Sequence, residues 1–290
     1  MPVLKPFFSQ LWIAQTGSLQ FSPTKALAMN ENEQTVADIA TSLQSCESLL
    51  FITGAGISAE SGIPTYRGVG GLYDVEQTEE GYPIEEVLSS SMLTENPGLT
   101  WKYLLQIGKA VSGATHNRAH EIIAEIEGHF PRVLTLTQNV DGFHHSAGSK
   151  NVIEAHGNMY SLSCTSCGYQ TKVEDFEGEF AIPPLCPRCE GLIRPDVVLF
   201  GELLSGEGIE RIQEEMMRGF DMVISIGTSM AFPYIQLPIE AAKAMGTPTV
   251  EINPSRTSIS ELVDYYLPLR ASRALAAIWC EYQRQLATSL

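Results

Sequence analysis

The sequence predicts an α/β fold, a parallel sheet covered by helices on both faces and interrupted by two insertions. Three observations carry this. Short apolar runs recur along the chain, stretches with helical apolar spacing separate several of them, and two segments break the alternation. A chain of 290 residues with 44% apolar content and mean hydropathy near zero is long enough for one to two domains around a real core. Its apolar stretches, such as Met222–Ile226, fall far short of the ~20 residues that cross a bilayer, which excludes a membrane protein. Eighteen Lys+Arg against 34 Asp+Glu give a formal charge of −16. That balance opposes docking on phosphate backbones and favours cationic partners such as lysine-bearing proteins, so no nucleic acid partner is expected.

Residues 1–29 form a poorly specified extension. They lack a basic start, a long apolar segment and a small-residue cleavage site, and Met29 is a candidate start. The six cysteines therefore read as reduced thiols in a cytoplasmic protein. Folded structure is expected from about residue 30, where Val36, Ile39, Ala40 and Leu43 take helical spacing. Next, Leu49–Thr53 is a buried strand running into Gly54-Ala55-Gly56. Val133–Thr137, Met222–Ile226, Thr249–Ile252 and Val263–Leu267 are further strands. Helices are read from Ala119/Ile122/Ile123/Ile126, from Ile209/Ile212/Met216 and over Pro238–Met245. The first interruption, 68–114, is helix and loop with acidic clusters. The second, 161–194, is rich in Cys, Gly and Pro and too poor in aliphatics to build its own core. The sheet domain then comprises 30–67, 115–160 and 195–290.

Within the second interruption, Cys164-Thr-Ser-Cys167 and Cys186-Pro-Arg-Cys189 are two CxxC knuckles 18 residues apart, the spacing of a four-thiolate zinc ribbon. Four protein ligands leave no open position for water, so the metal is structural and its binding energy folds the insert. Two disulfides or four unrelated thiols are the alternatives. Cys46 and Cys280 have no partner spacing and read as small apolar residues.

Gly54-Ala-Gly56-Ile-Ser-Ala59 fits G-x-G-x-x-G/A directly after a strand, which suits the approach of backbone N–H groups to a pyrophosphate. No acid ends a second strand about 20 residues on, which weakens a hydride-transfer reading. Thr228-Ser229 and Asn253 follow strands, where open α/β sheets bind ligands, although singly they read first as a cap and a turn. Gln138-Asn139-Val140-Asp141 packs amides and an acid after another strand. His156 lies at a further strand end, where a general base would be needed; a lone histidine is more often structural. His116, His120, His129, His144 and His145 are read as structural, with His116 and His120 on one helix face.

These stretches resemble the sirtuins, NAD-dependent protein lysine deacylases. The matching segments are Gly54-Ala-Gly-Ile-Ser-Ala-Glu-Ser-Gly-Ile-Pro64 with Arg67, Thr137-Gln-Asn-Val-Asp-Gly142, Glu154-Ala-His-Gly157, the two knuckles, Arg194-Pro-Asp-Val-Val-Leu-Phe-Gly-Glu202, Gly227-Thr-Ser229 and Ile252-Asn-Pro254. The resemblance implies a Rossmann-like domain carrying a smaller lobe made of the zinc ribbon and the 68–114 helical module. It implies NAD contacts at Gly54, Ala55, Gly56, Glu60, Ile63, Tyr66, Arg67, Gly227, Thr228, Ser229 and Asn253. Gln138, Asn139 and Asp141 would form the pocket for nicotinamide and its ribose. His156 would act as base, with Asn139 and Asp141 beside it in the catalytic set. Val198, through its carbonyl, and Phe200 would hold the acyl-lysine, while Gly201-Glu202 pair with the substrate backbone as an added strand. The implied products are free lysine, nicotinamide and 2′-O-acetyl-ADP-ribose, and the partners are acetylated proteins or peptides; a monomer is compatible with the sequence.

Three departures qualify the resemblance. Thr65-Tyr66 stand where many relatives have Asp-Phe. Tyr103 is followed by Gln106 rather than the arginine of succinyl-preferring relatives, which predicts deacetylation over desuccinylation. Gly68-Val-Gly-Gly-Leu-Tyr73 makes the cofactor loop glycine-rich, and mobility without NAD is expected there. The alternatives are transfer of ADP-ribose to a protein, deacylation of longer chains, and an NAD-sensing zinc-ribbon module without turnover.

Overall fold

The structure is a computed structural model that describes residues 23–63, 77–177 and 181–289. Strands β1 (Ser48–Thr53), β2 (Arg132–Thr137) and β3 (Val152–Glu154) come first. Then follow β4 (Gly157–Cys164), β5 (Gln170–Lys172) and β6 (Ile193–Val197), and last β7 (Met222–Ile226), β8 (Thr249–Ile252) and β9 (Tyr265–Leu267). Six of them form one sheet in the order β3-β2-β1-β7-β8-β9, with every neighbouring pair parallel. The chain builds outward from β1 on one side and then returns to β7 on the other. The strand order reverses between them, which opens a crevice at the carboxyl ends of these two strands.

The continuous apolar runs exist because both faces of this sheet are buried. Side chains alternate across the strand. Leu49 and Phe51 of β1 face a core shared with helices α1 (Pro23–Leu43), α6 (Arg118–Glu127) and α10 (Ala271–Ser289), through Ile39, Leu43, Ile122, Ile123, Leu275 and Ile278. Leu50 and Ile52 face the opposite core, where Ile235 and Ile239 of α9 (Pro233–Met245) pack and α8 (Gly206–Arg218) adds Ile212 and Met216.

Several expectations change. Helix α1 begins at Pro23, so the expected boundary at residue 29 falls inside it; no glycine or proline after Pro23 interrupts the run to Leu43. The C-terminal helix α10 is absent from the sequence reading, although Ala274, Leu275, Ile278, Trp279 and Tyr282 carry helical spacing and are all buried. Helix α9 starts at Pro233 rather than Pro238: both prolines suit a first helical position, and the chain uses the earlier one. Cys46 is buried as expected, whereas Cys280 is exposed.

The smaller lobe joins two parts around one core. Helices α3 (Ile84–Val87), α4 (Ser90–Glu95) and α5 (Pro97–Ser112) form the helical module. The start of α5 is fixed by Pro97 in its first turn and by Asn96, whose side chain accepts from Leu99 N at 3.2 Å. The antiparallel sheet β5-β4-β6 carries the cysteine knuckles. Its strands run from Gly157, where the central β4 begins, to Val197, where β6 ends, so the expected boundaries at 161 and 194 cut through β4 and β6. Trp101 of α5 is fully buried and its indole N–H donates to the Ile193 carbonyl at 2.8 Å. Phe176 lies so close to α5 that a Cβ on Gly108 would sit 2.5 Å from its ring. The cysteine-rich insert thus borrows the core it cannot build from the helical module, through Trp101, Leu104, Phe176, Leu162 and Ile193.

Gly108→Ala is expected to destabilise this lobe by about 1–3 kcal/mol through overpacking against Phe176, read as a lowered unfolding midpoint; an unchanged midpoint would show that the ring can move aside.

Candidate active site

The site residues singled out in the sequence come from six different strand ends, β1, β2, β3, β6, β7 and β8, and two loops hold the floor of the site together. After β1 the chain enters a short helix, α2 (Ala55–Ser58), followed by a 3-10 turn over Ala59–Ser61. Gly54 N donates to the Ile226 carbonyl at 3.2 Å and Gly56 N to the Gly227 carbonyl at 2.8 Å. A Cβ on Gly54 would lie 2.8 Å from Thr228 Cβ, and one on Gly56 would lie 2.6 Å from Gly227 Cα. Gly227 itself has φ 59°, a left-handed conformation that favours glycine. The close approach allowed by these glycines is therefore first of all between the β1 and β7 loops.

Thr228 ties this junction to its neighbours. Its hydroxyl accepts from Gln138 Nε2 at 2.8 Å and from Met230 N at 3.2 Å, and its carbonyl accepts from Asn253 Nδ2 at 3.0 Å. The side-chain oxygen of Asn253 meanwhile accepts from Ser255 N at 3.2 Å, so the residue is both a turn former and a link between loops. Ser229 is exposed and is no helix cap, because Phe232 occupies the N-cap of α9.

A second network runs through Ser58, which the sequence reading passes over although it lies inside the glycine motif. Ser58 is 1% exposed. Its hydroxyl donates to Asp141 Oδ2 at 2.7 Å and accepts from Asn139 Nδ2 at 3.1 Å. Asn139 Nδ2 also reaches the Gly54 carbonyl at 3.1 Å, and Asp141 Oδ1 accepts from Phe143 N at 3.0 Å. Burial raises the proton affinity of Asp141, opposed by the bonds from Phe143 and Ser58. His120 Nε2 faces Ser58 Oγ at 3.5 Å, while its Nδ1 accepts from Asn117 N at 3.2 Å. That acceptance puts the ring proton on Nε2, so the donors run from His120 to Ser58 to Asp141. Burial, then His116, pushes His120 down to about 4. His116 does not share a helix face with it: Asn117 caps α6, and His120 closes a capping box from the third helical position. His144, with Nε2 2.9 Å from Thr53 Oγ1, is pushed down to about 3 by burial.

His156 follows β3. Its carbonyl accepts from Val198 N at 2.9 Å, its ring Nε2 lies 2.6 Å from the Tyr234 hydroxyl, and Phe232 stands edge-on to it with ring centroids 5.9 Å apart. Burial lowers its pKa, and a hydrogen bond to the Gln138 backbone carbonyl opposes that shift. On the far side, Phe200 has both backbone groups engaged by the helical module: its N donates to the Leu88 carbonyl at 3.0 Å and its carbonyl accepts from Ser90 N at 3.1 Å. Glu202 is spent internally, with Oε2 accepting from Arg194 Nη2 and from Leu199 N, each at 2.9 Å, and its own N donating to the Leu199 carbonyl at 3.0 Å; any added strand would have to use the backbone of Gly201 (φ 84°) and the Glu202 carbonyl.

Glu60 corrects another expectation. Its carboxylate accepts from Ser272 N at 2.9 Å and from Ser272 Oγ at 2.7 Å, in the first turn of α10. A carboxylate is favoured there by the free N–H groups and the helix dipole, so both oxygens are taken by α10 rather than turned to a cofactor. Ile63 packs at the edge of the small-lobe core. Tyr66 and Arg67, with the 65–66 and 68–73 departures, lie outside the described residues.

The four knuckle cysteines have their sulfurs within 4.8 Å of one another, with Cys164–Cys189 and Cys167–Cys186 at 3.6 Å. A tetrahedral ion with Zn–S bonds of about 2.3 Å separates its sulfurs by about 3.8 Å, which these spacings fit. Ser166 N and Arg188 N donate to Cys164 and Cys186 Sγ at 3.3 and 3.4 Å. Such donors favour thiolates, and Cys164 is held below the ordinary thiol range chiefly by Ser166 N–H. The cluster fits one structural zinc.

A sequence profile of the Sir2 family matches residues 54–233. The "NAD-dependent protein deacylase 2" of Pseudomonas aeruginosa is 46% identical over 243 residues, covering 83% of this chain and 94% of that protein. A mutant Sir2 homologue in complex with ADP ribose superimposes with a TM-score of 0.79 at 34% identity, over 87% of this chain and 98% of the other. A Sir2 homologue in complex with NAD gives a TM-score of 0.75 at 35% identity, over 89% and 94%. Among the described residues no helix is long and apolar enough to cross a membrane.

Removing a zinc ligand by Cys164→Ser is expected to abolish stoichiometric metal, read by elemental analysis, and to lower the unfolding temperature; a metal-free variant that melts like the wild type would contradict a structural zinc. The buried imidazoles predict a pH response. His120 and His144 take up protons near pH 6.5 when unfolded but only near pH 4 and pH 3 when folded. Stability is therefore lost as pH falls below about 6.5, by up to about 1.4 kcal/mol per pH unit for each. His120→Gln, which keeps the capping box, is expected to flatten that slope in urea titrations at pH 7, 6 and 5.

Proposed function

Because the chain belongs to the Sir2 family, we propose that it is an NAD-dependent protein lysine deacylase with a preference for acetyl groups, acting on acetylated proteins in the cytoplasm. The observation that carries this reading is the convergence of Gln138, Asn139, Asp141, Thr228 and Asn253 on one hydrogen-bonded crevice with the His156 imidazole at the next strand end. The order of the sheet supports a dinucleotide there, since the reversal between β1 and β7 is where such folds take their ligands. NAD would supply the electrophilic ribose carbon: its bond to nicotinamide would break, nicotinamide would leave, and the remaining ADP-ribose would carry the acyl group away as a ribose ester.

The protein residues then have separable roles. Gly227, Thr228, Ser229 and Asn253 line the crevice for the adenosine half. Asn139 and Asp141 are held in place by internal bonds, so a nicotinamide amide meets polar groups already fixed in position. His156 acts as general base toward a ribose hydroxyl. Burial supports that role, because it keeps the ring neutral at neutral pH, with its lone pair available. Val198 and Phe200 receive the acyl-lysine, whose neutral amide tolerates an apolar passage that penalises the charged product amine.

Acetyl preference is supported at Tyr103. Its hydroxyl donates to Glu80 Oε2 at 2.6 Å, and Lys102 bonds Glu79 and Glu80 at 2.7 and 2.6 Å. Lys102 first, then Tyr103, holds Glu80 down at about 2. With Gln106 in place of an arginine, a carboxylate acyl tip gains no bidentate partner and meets an ionised neighbour.

With NAD and an acetyl-lysine peptide, nicotinamide release is expected to require the peptide, and a succinyl peptide is expected to be the poorer substrate. His156→Ala is expected to cut kcat by about 10²–10⁴ while zinc content and thermal unfolding stay at wild-type values. Release indifferent to the peptide would indicate ADP-ribose transfer or hydrolysis instead.

A further inference from the structure

We propose that Tyr234 is a positioning residue for His156: its hydroxyl, 2.6 Å from Nε2, occupies the base nitrogen in the free protein and yields it to a ribose hydroxyl when NAD binds. The inference rests on the reading of His156 as the general base. Neither the glycine motif nor the strand-end polar clusters point to Tyr234, which lies in the first turn of α9.

Three features of the geometry carry it. The first is the direction of the hydrogen bonds. With Nε2 against Tyr234, the nitrogen left for the Gln138 carbonyl is Nδ1. A carbonyl only accepts, so Nδ1 carries the proton, Nε2 carries the lone pair, and Tyr234 donates. This is the tautomer a base acting through Nε2 requires. The second is confinement. The His156 and Tyr234 rings meet edge to face at 6.0 Å, Phe232 stacks on Tyr234 at 6.1 Å and 30°, and Phe232 also stands edge-on to His156. The loop that delivers both aromatics passes through Met230, buried with φ 56°, in the left-handed region. The third is exclusivity. A neutral imidazole offers one lone pair, so the tyrosine hydroxyl and a ribose hydroxyl take that position in turn.

The same bond affects titration. A donor on Nε2 stabilises neutral His156 and adds to the effect of burial. The groups against the ring are Tyr234 and Phe232 from α9 and the loop before it and the Gln138 carbonyl after β2; Val198 N after β6 bonds the His156 backbone carbonyl instead. Tyr234 is the titratable one among them, and burial raises its own pKa, so it stays a donor across the working range. Among the described residues no carboxylate or ammonium group shifts His156.

Tyr234→Phe keeps the ring and removes the donor. Expected is an upward shift of the acidic limb of kcat/KM for NAD by about 0.5 to 1 pH unit, the worth of one neutral hydrogen bond. The variant should lose activity below the limb and approach a constant ratio to wild type above it, with zinc content and melting temperature unchanged. In parallel, the His156 ring is titrated by NMR in the free protein, its signal assigned by its absence in His156→Asn, and its pKa should rise by the same amount. A purely structural role would lower activity evenly across pH. If the wild-type limb follows the ring titration but Tyr234→Phe shifts neither, the role given to Tyr234 is overturned alone. If the wild-type limb does not follow the ring, the base assignment fails, and the tyrosine's role with it.

Discussion

The close contact between the β1 and β7 loops holds the whole site in place. Backbone meets backbone at Gly56 and Gly227 with no room for a Cβ on either side. Because β1 and β7 are the two central strands, this junction fixes the floor of the crevice. Thr228, one residue further on, then carries the position of the floor to Gln138 on one side and Asn253 on the other. Loops from β1, β2, β7 and β8 are thus tied by a few bonds, each short and partly shielded from water. A side chain introduced at either glycine would part the loops and dissolve that connection.

Buried polar groups must find partners inside the protein, and Ser58 shows how one hydroxyl meets that demand. It accepts from Asn139 and donates to Asp141, while His120 closes the set from α6. The site consequently holds its amides and its acid rigidly before any ligand arrives, as preorganised polar sites require. The neutral imidazoles of His120 and His144 follow chiefly from burial, with neighbouring histidines adding to it.

In the smaller lobe, the shortage of aliphatics in the Cys-rich insert correctly implies outside support, but it names only one of the two sources. A zinc ion accounts for the knuckle end. The other end leans on α5, where Gly108 leaves the space that Phe176 fills and Trp101 binds the backbone of β6. That contact joins residues 92 positions apart, and no local pattern announces it.

The sheet strands, the two interruptions and the metal ligands are legible in the chain alone, because they depend on local signals: apolar runs buried on both faces, and thiols at a spacing that closes a tetrahedron. The strand-end polar residues are legible too, since chemistry at the end of a strand is visible as a change of residue type. The partner of each side chain, by contrast, emerges only once the chain is folded. Glu60 looks like part of the glycine motif and instead caps α10, 212 residues away; Ser58 and Tyr234 look ordinary and lie against Asp141 and His156. Hydrogen bonds reach about 3 Å in space whatever the separation along the chain, so their pairing is set by how the strands and helices come together rather than by any spacing that can be read in advance.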